Sequence, residues 1–341
     1  MRTTNINTDA KKNRRQSGII SARSLKQKFH IYTGDHLHWV QIIFHLKWTV
    51  LVGIIPWVLL CSGYGFLISL AHHFGYLSKI SEIKSLPNVV ISLNIILSLL
   101  LAFRTNTAHE RFWEGRKLWG AMVNVSRNLA RSICIVIEER NGEEREIKED
   151  AVRLVAAFPV AMKLHLRRDP MNRELTPLMS PQQYQRLQKV NHAPLEIAFW
   201  IGDYLQHQYD QKRVNVFQLT DLHKMLNDMV DILGGCERIL KTPVPLIYNI
   251  TLKFLLVIYF LVMPLGLVND LHWWTAVDMG FISFLMLGID EIGAEIEEPF
   301  GHDPNDLPLD LICKTIVRNL EDLIVLESTQ STNLDLSGKA A

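Results

Sequence analysis

The stretch LLLAFRTNTAHERFWEGRKLWG, residues 99–120, constrains the fold more than any other part of the chain. An apolar run passes directly into Arg104, His109, Glu110, Arg111 and Glu114, and neither Gly nor Pro stands between Pro87 and Gly115. Those two residue types are the usual helix breakers. One helix is therefore expected to leave an apolar zone and enter water without stopping.

The totals fit such a division. The 341 residues are 48% hydrophobic with mean hydropathy +0.09, too polar for a compact transporter and too apolar for a typical soluble enzyme. Cys61, Cys134, Cys236 and Cys313 stand far apart, which argues against a disulfide framework or a zinc site and reads as buried spectators. The N-terminal thirty residues are basic, with Asp9 their only acid, and no apolar core follows at signal-peptide distance. A basic cytosolic leader is expected over residues 1–46, with an organelle transit peptide as the alternative.

Four apolar stretches follow. Trp48 to Ala71 carries no charge and is long enough to cross a ~30 Å hydrocarbon layer. Asn88 to Phe103 is short and spans only if its helix continues. Pro245 to about Val268 holds a lone Lys253, and Trp273 to Ile289 holds Asp278, with only NDLH between these two stretches. A hairpin is expected there, with Trp273 and Trp274 in an interfacial aromatic belt and Lys253 paired to Asp278. Lys and Arg crowd the N-terminal segment and residues 104–243 but nearly vanish from the loops between paired spans, which places both termini and the long section on the cytoplasmic side. The expected division is transmembrane helices 1 and 2 over 47–103, a cytosolic helical region over 104–243, transmembrane helices 3 and 4 over 244–290, a C-terminal helical region over 291–326 and a disordered tail over 327–341. The fold class is all-α: apolar positions recur at three and four throughout the wet section, where Pro159 is expected to kink or end a helix.

On the second helix, Asn88, Ser92, Ile95, Leu99, Phe103 and Asn106 share one face that is polar at both ends and apolar in the middle. Such a face suits an aqueous path with a narrow apolar neck, and hydrophobic constrictions gate by dewetting. The same trio also suits ordinary helix packing. Four spans are too few to wall a path, so a pore would lie on a cyclic symmetry axis. Arg104, Arg111 and Arg116 would stand inside the membrane face, drawing anions, or else pair with Glu110 and Glu114.

The motifs AFRTNTAHERFWEGRKLWG, LGGCERILKTPVPLIY and EIEEPFGHDPNDLPLD, in this order and with four spans, resemble the bestrophin family, in particular its bacterial and plastid branch, over roughly residues 30–325. The resemblance implies a homopentamer with one axial pore conducting small monovalent ions: chloride and other anions in animal and plant members, cations in some bacterial ones. It places the neck at Ile95, Leu99 and Phe103, and a second, cytosolic aperture at Phe217. It also sets Glu295, Glu298, Asp303 and Asp306 at the ligand positions of the calcium clamp of animal members. His302 and Pro304 interrupt the acidic run, so no cofactor is expected to be required, although oxygen ligands at this density can hold calcium. The alternative there is a capped, salt-bridged helix junction whose partners are basic residues of neighbouring subunits.

KTPVPLIY is read as the bend into the third span, with Gly234 and Gly235 permitting close packing before it. His36 with His38, and His72 with His73, lack a third ligand, and no HExxH, GxSxG or Walker sequence is present, so no enzyme is expected. The expected partners are further copies of the chain, membrane lipid and chloride or other monovalent ions, with no nucleic acid. The expected location is a bacterial inner membrane, or alternatively a thylakoid membrane. A cation-selective channel of the same fold, a membrane-bound metal enzyme and a non-conducting scaffold are the competing readings.

Overall fold

The computed structural model describes residues 49–77, 85–303 and 305–338. The chain divides into two units, residues 1–53 and 54–341, and the first contributes only the opening of one helix to the described residues. The basic leader, His36 and His38 therefore lie outside the described residues.

Every regular element among the described residues is helical. In chain order these are α1 (Thr49–His73), α2 (Leu86–Val136), α3 (Gly142–Arg167), a 3-10 turn (Arg173–Leu178), α4 (Pro181–Leu187), α5 (Ala193–Asp210), α6 (Val216–Lys241), α7 (Leu246–Leu271), a 3-10 turn (His272–Trp274), α8 (Thr275–Ile296) and α9 (Leu309–Gly338). Three helical stretches are long and apolar enough to cross a membrane: Gly53–His73, Leu86–Val136 and Val216–Ile296, the last of which contains α7 and α8.

α2 is the spine. Its 51 residues span roughly 77 Å at 1.5 Å per residue, and no break interrupts them. Its buried positions, among them Leu97, Leu101, Arg104, Ala108, Gly115, Trp119, Met122 and Ser126, step by three, four or seven, so a single stripe faces the protein throughout. The upper part of that stripe joins an apolar cluster with Cys61, Leu252, Leu256, Tyr259, Met263 and Met279. The lower part joins a larger cluster built around α3, α5, α6 and α9. α3 is the centre of the wet body: from Ala151 to Leu164 all but Arg153 are buried, and a helix apolar all round belongs inside. At about 1.5–3 kcal/mol per large buried side chain, this second cluster gives the long helix a reason to continue.

The membrane helices approach through small residues. A Cβ at Gly266 of α7 would meet Val90 Cγ2 at 2.8 Å, and one at Gly65 of α1 would meet Met279 Cγ at 2.9 Å. Side-chain hydroxyls add interhelical bonds: Tyr248 Oη donates to Leu100 O (2.7 Å) and Ser62 Oγ to Ala276 O (2.8 Å).

Several boundaries differ from expectation. The hairpin between the last two membrane helices turns at His272–Trp274, because the helix absorbs Asn269–Leu271 and His272 takes a left-handed conformation (φ 48°). Pro159 does not end α3; the helix runs through it, and Pro159 O accepts from Cys313 Sγ at 3.4 Å. α9 continues to Gly338, past the boundary drawn from composition at residue 326. Lys253 and Asp278 form no ion pair, for a geometric reason: α7 and α8 are antiparallel. Lys253 lies near the start of α7 and Asp278 near the start of α8, at opposite ends of the hairpin. The bend at KTPVPLIY is as expected, with α6 ending at Lys241 and Pro245 capping α7.

Candidate functional site: the free face of α2

The residues expected to wall a path stand together, away from the protomer's core. Ile95, Leu99 and Phe103 are 65%, 55% and 57% exposed, large values for apolar side chains on a helix packed along its other side. Leu97 and Leu101, two positions to either side of Leu99 and so about 200° around the helix, are buried. Asn88, Ser92 and Asn106 continue the exposed face. Ser92 Oγ is tied back to Asn88 O (2.8 Å), and Asn106 Nδ2 donates to Glu110 Oε1 (3.0 Å). The face is therefore apolar in its centre and polar at its ends, with Ser92 and Asn106 bonded within the helix.

Phe217 stands on a different element, in the first turn of α6, and is 79% exposed. Asn215 fixes that turn by accepting from the N–H groups of Phe217 (3.0 Å) and Gln218 (2.9 Å), while the Gln218 side chain accepts from the Asn215 N–H (2.8 Å). The capping box holds the Phe217 backbone rigidly while its ring meets no core.

The charges that follow the apolar centre of this face are tied into the protomer. Arg104 is buried and forms an ion pair with Asp290 of α8. Arg111 donates to Ile239 O (2.7 Å), Thr242 O and Glu297 O (3.3 Å), so one guanidinium gathers the end of α6 and the end of α8 onto α2. A cation at carbonyls left unpaired by a helix C-terminus is favourable. Glu297 completes the joint by accepting from the Val244 N–H (3.0 Å). Glu114 meets Arg238 at 2.5 Å. The expectation that Arg104 and Arg111 stand as free cations at the inner mouth is thus corrected. Nor do they pair with Glu110 and Glu114, because sequence proximity on one helix loses to tertiary partners.

The acidic loop after α8 is fastened from within the same protomer. Asp306 Oδ2 accepts from the Asp303 N–H (2.8 Å), Asn305 Nδ2 donates to Glu295 Oε1 (2.9 Å), and Arg167 Nε donates to Gly301 O (3.0 Å). Burial, with Asp303 and Glu295 nearby, pushes the Asp306 carboxyl above the usual carboxylate range. Beneath the loop, buried Lys163 bonds Glu174 (2.6 Å) and Asp310 (2.8 Å), and Arg167 also reaches Asp310 (2.9 Å). Burial opposes ionisation of Asp310, but these two cations outweigh it and hold its pKa at about 2.

Residues 31–322 match the family model described as Bacterial/Fungal Bestrophin protein. The chain belongs to the bestrophin family. A voltage-dependent anion channel-forming protein of Nostoc sp. is 50% identical over 289 residues, covering 85% of this chain and 92% of that relative. A protein of the same name from Synechocystis sp. is 48% identical over 288 residues, covering 84% and 92%. A variant of a bacterial bestrophin homolog from Klebsiella pneumoniae, solved by crystallography, superposes with a TM-score of 0.74 at 27% identity, covering 81% of this chain and 98% of that one. Membership makes this bestrophin-family chain a membrane protein and a channel rather than an enzyme.

Among the described residues, one set of three potential metal ligands converges within 4.8 Å, formed by His165, His192 and Glu237. Glu295, Glu298, Asp303 and Asp306 are not in such a set. No spacing motif signals this cluster in the sequence: its members are 27 and 45 positions apart and come from three different helices.

Proposed function

We propose that this chain is one subunit of a homopentameric channel that passes chloride and other small monovalent anions passively along its symmetry axis. The observation that carries the reading is the division of α2 into a packed stripe and a free apolar face. A bare greasy face on a helix otherwise tied into two cores suits a path shared by several copies. Ile95, Leu99 and Phe103 form the neck in this reading, narrow enough to expel water when closed, with Asn88, Ser92 and Asn106 in the vestibules and Phe217 as the cytosolic aperture. The relatives from Nostoc sp. and Synechocystis sp., both named voltage-dependent anion channel-forming proteins, support anions. Arg104 and Arg111 do not, since Asp290 neutralises the first and backbone carbonyls of α6 and α8 hold the second.

The membrane is a bacterial plasma membrane in this proposal, with the thylakoid membrane as the alternative. Conduction needs no cofactor; currents that vanish in a calcium chelator and return with added calcium would instead assign the clamp to Glu295, Glu298, Asp303 and Asp306. The deciding experiment reconstitutes the purified chain in planar bilayers under asymmetric KCl. A reversal potential close to the chloride equilibrium is expected. One close to the potassium equilibrium would favour the cation channel of the same fold, and silence under all voltages would remove the channel reading.

A further inference from the structure

We propose that His165, His192 and Glu237 bind a divalent transition-metal ion of the zinc type, with water completing the coordination. The ligands come from three helices. His165 stands in the last turn of α3, His192 is the N-cap of α5, and Glu237 lies one turn from the end of α6. Both imidazole Nε2 atoms point at the same oxygen: His165 Nε2 is 2.7 Å and His192 Nε2 is 2.9 Å from Glu237 Oε1. The rings lie with centroids 4.5 Å apart and planes inclined by 38°.

Two imidazoles and one carboxylate are a donor set that zinc favours, in sites of three protein ligands and one open position. The metal–ligand bonds of such a site are about 2.0–2.2 Å, so neighbouring ligand atoms lie a little over 3 Å apart. The two nitrogens, at 2.7 and 2.9 Å from the carboxylate oxygen, need to withdraw from it by only about half an ångström. The surroundings suit an ion as well. The second oxygen of Glu237 accepts from Lys241 Nζ (2.8 Å), which fixes the carboxylate to present one oxygen. The side chains of His165, His192 and Glu237 are only 24%, 35% and 16% exposed, so the site is sheltered but not sealed. A cavity of about 550 Å³, lined in part by His165, Arg168, Asp169, Gln188 and Asn191, opens beside it and gives access to water.

The metal-free hydrogen bonds would be exchanged as follows. Without the ion, His192 Nδ1 accepts from the Leu195 N–H at 3.3 Å, so its neutral ring donates through Nε2 to Glu237. With the ion, the Nε2 lone pair of each ring faces the metal and each ring proton sits on Nδ1. His192 then gives up the long capping bond, and one metal bond replaces it. The ion would lock α3 and α5 to the segment of α6 that precedes the carbonyls held by Arg111.

The test uses the full chain in detergent, stripped with a chelator and titrated with ZnCl2 against a chromophoric competitor. The wild type is expected to take up one tightly held zinc per chain. His165→Gln and His192→Gln keep a group able to bond Glu237 but remove the imidazole, and each is expected to lower affinity by more than the roughly 10–100-fold that loss of an outer-shell partner costs. Metal-free thermal midpoints close to the wild type certify that both variants fold. Cobalt in place of zinc is expected to give the intense visible bands of a four-coordinate ion, weakened in both variants. Equal zinc uptake by the wild type and both variants, or no retained zinc in any of them, would overturn the proposal.

Discussion

Arg104 of α2 and Asp290 of α8 form a buried ion pair on the stripe that also carries Leu97, Leu101 and Ala108. About two helical turns further on, Arg111 ties α2 to the backbone carbonyls at the ends of α6 and α8. The first charges after the apolar run are thus spent on joining helices. A buried pair is costly to break because the surviving charge has no partner. Asp290→Asn is expected to destabilise the fold by about 3–5 kcal/mol, with a lowered thermal midpoint in fluorescence-detected size exclusion. The double variant Arg104→Met, Asp290→Leu removes both charges and is expected to recover most of the loss. A double variant as unstable as the single one would mean that packing, not charge, carries the joint.

The neck reading rests on side chains that the protomer does not use. Ile95, Leu99 and Phe103 are more than half exposed, so replacing all three with Ala removes little buried contact from the monomer fold. The triple variant is expected to fold and assemble as the wild type does, and to carry a larger current in reconstituted bilayers, because a wider and less apolar constriction wets more readily. Unchanged current and unchanged ion preference in the triple variant would remove the neck assignment. Phe217→Ala, at the separate first turn of α6, is expected to alter preference among ions of different size more than total current.

These two results mark what could be read in advance. The unbroken α2 and its two faces were legible because helix periodicity and the lack of breakers are local properties: the positions that repeat as Leu97, Leu101, Arg104 and Ala108 are buried, and those that repeat as Ile95, Leu99 and Phe103 are free. The fate of Arg104 and Arg111 was not legible, since a sequence shows a charge but not its tertiary partner. The Lys253–Asp278 pair failed on register, because antiparallel helices bring the start of one beside the end of the other. The His165–His192–Glu237 cluster left no trace, being assembled only when α3, α5 and α6 pack.

Acid is expected to loosen the wet body before it disturbs the apolar cores. Asp310 falls from an ordinary value of 3.8 to about 2, with burial opposing the shift and hydrogen bonds from Lys163 and Arg167 driving it. Glu237 falls from 4.5 to about 2, again against burial, through Lys241, His165 and His192. A carboxyl whose folded pKa is depressed stabilises the fold fully above its unfolded value, and that contribution drains away as pH drops through the folded value. Stability at fixed temperature is therefore expected to hold down to about pH 4.5 and to fall between there and about pH 2. Asp310 is half exposed, so solvent screening keeps its share modest. Asp310→Asn is expected to flatten the acid limb of a midpoint-versus-pH curve, and an unchanged limb would shift the sensitivity to other carboxylates.

Adjacent glycines on α6 are expected to respond unequally to the same substitution. Gly inside a helix costs about 1 kcal/mol relative to Ala. At Gly234 a new Cβ meets nothing within 4 Å, so Gly234→Ala is expected to raise the thermal midpoint. At Gly235 the Cβ would stand 3.1 Å from both methyl carbons of Leu118 on α2, and Leu118 must yield before the helix gains. Gly235→Ala is expected to give less than Gly234→Ala, and Gly235→Val to lower the midpoint, since a branched side chain cannot fit where one methyl is already tight. Leu118→Ala opens that contact and is expected to rescue Gly235→Val in part. Failure of the rescue would mean that the second glycine is kept for something other than the approach of α6 to α2.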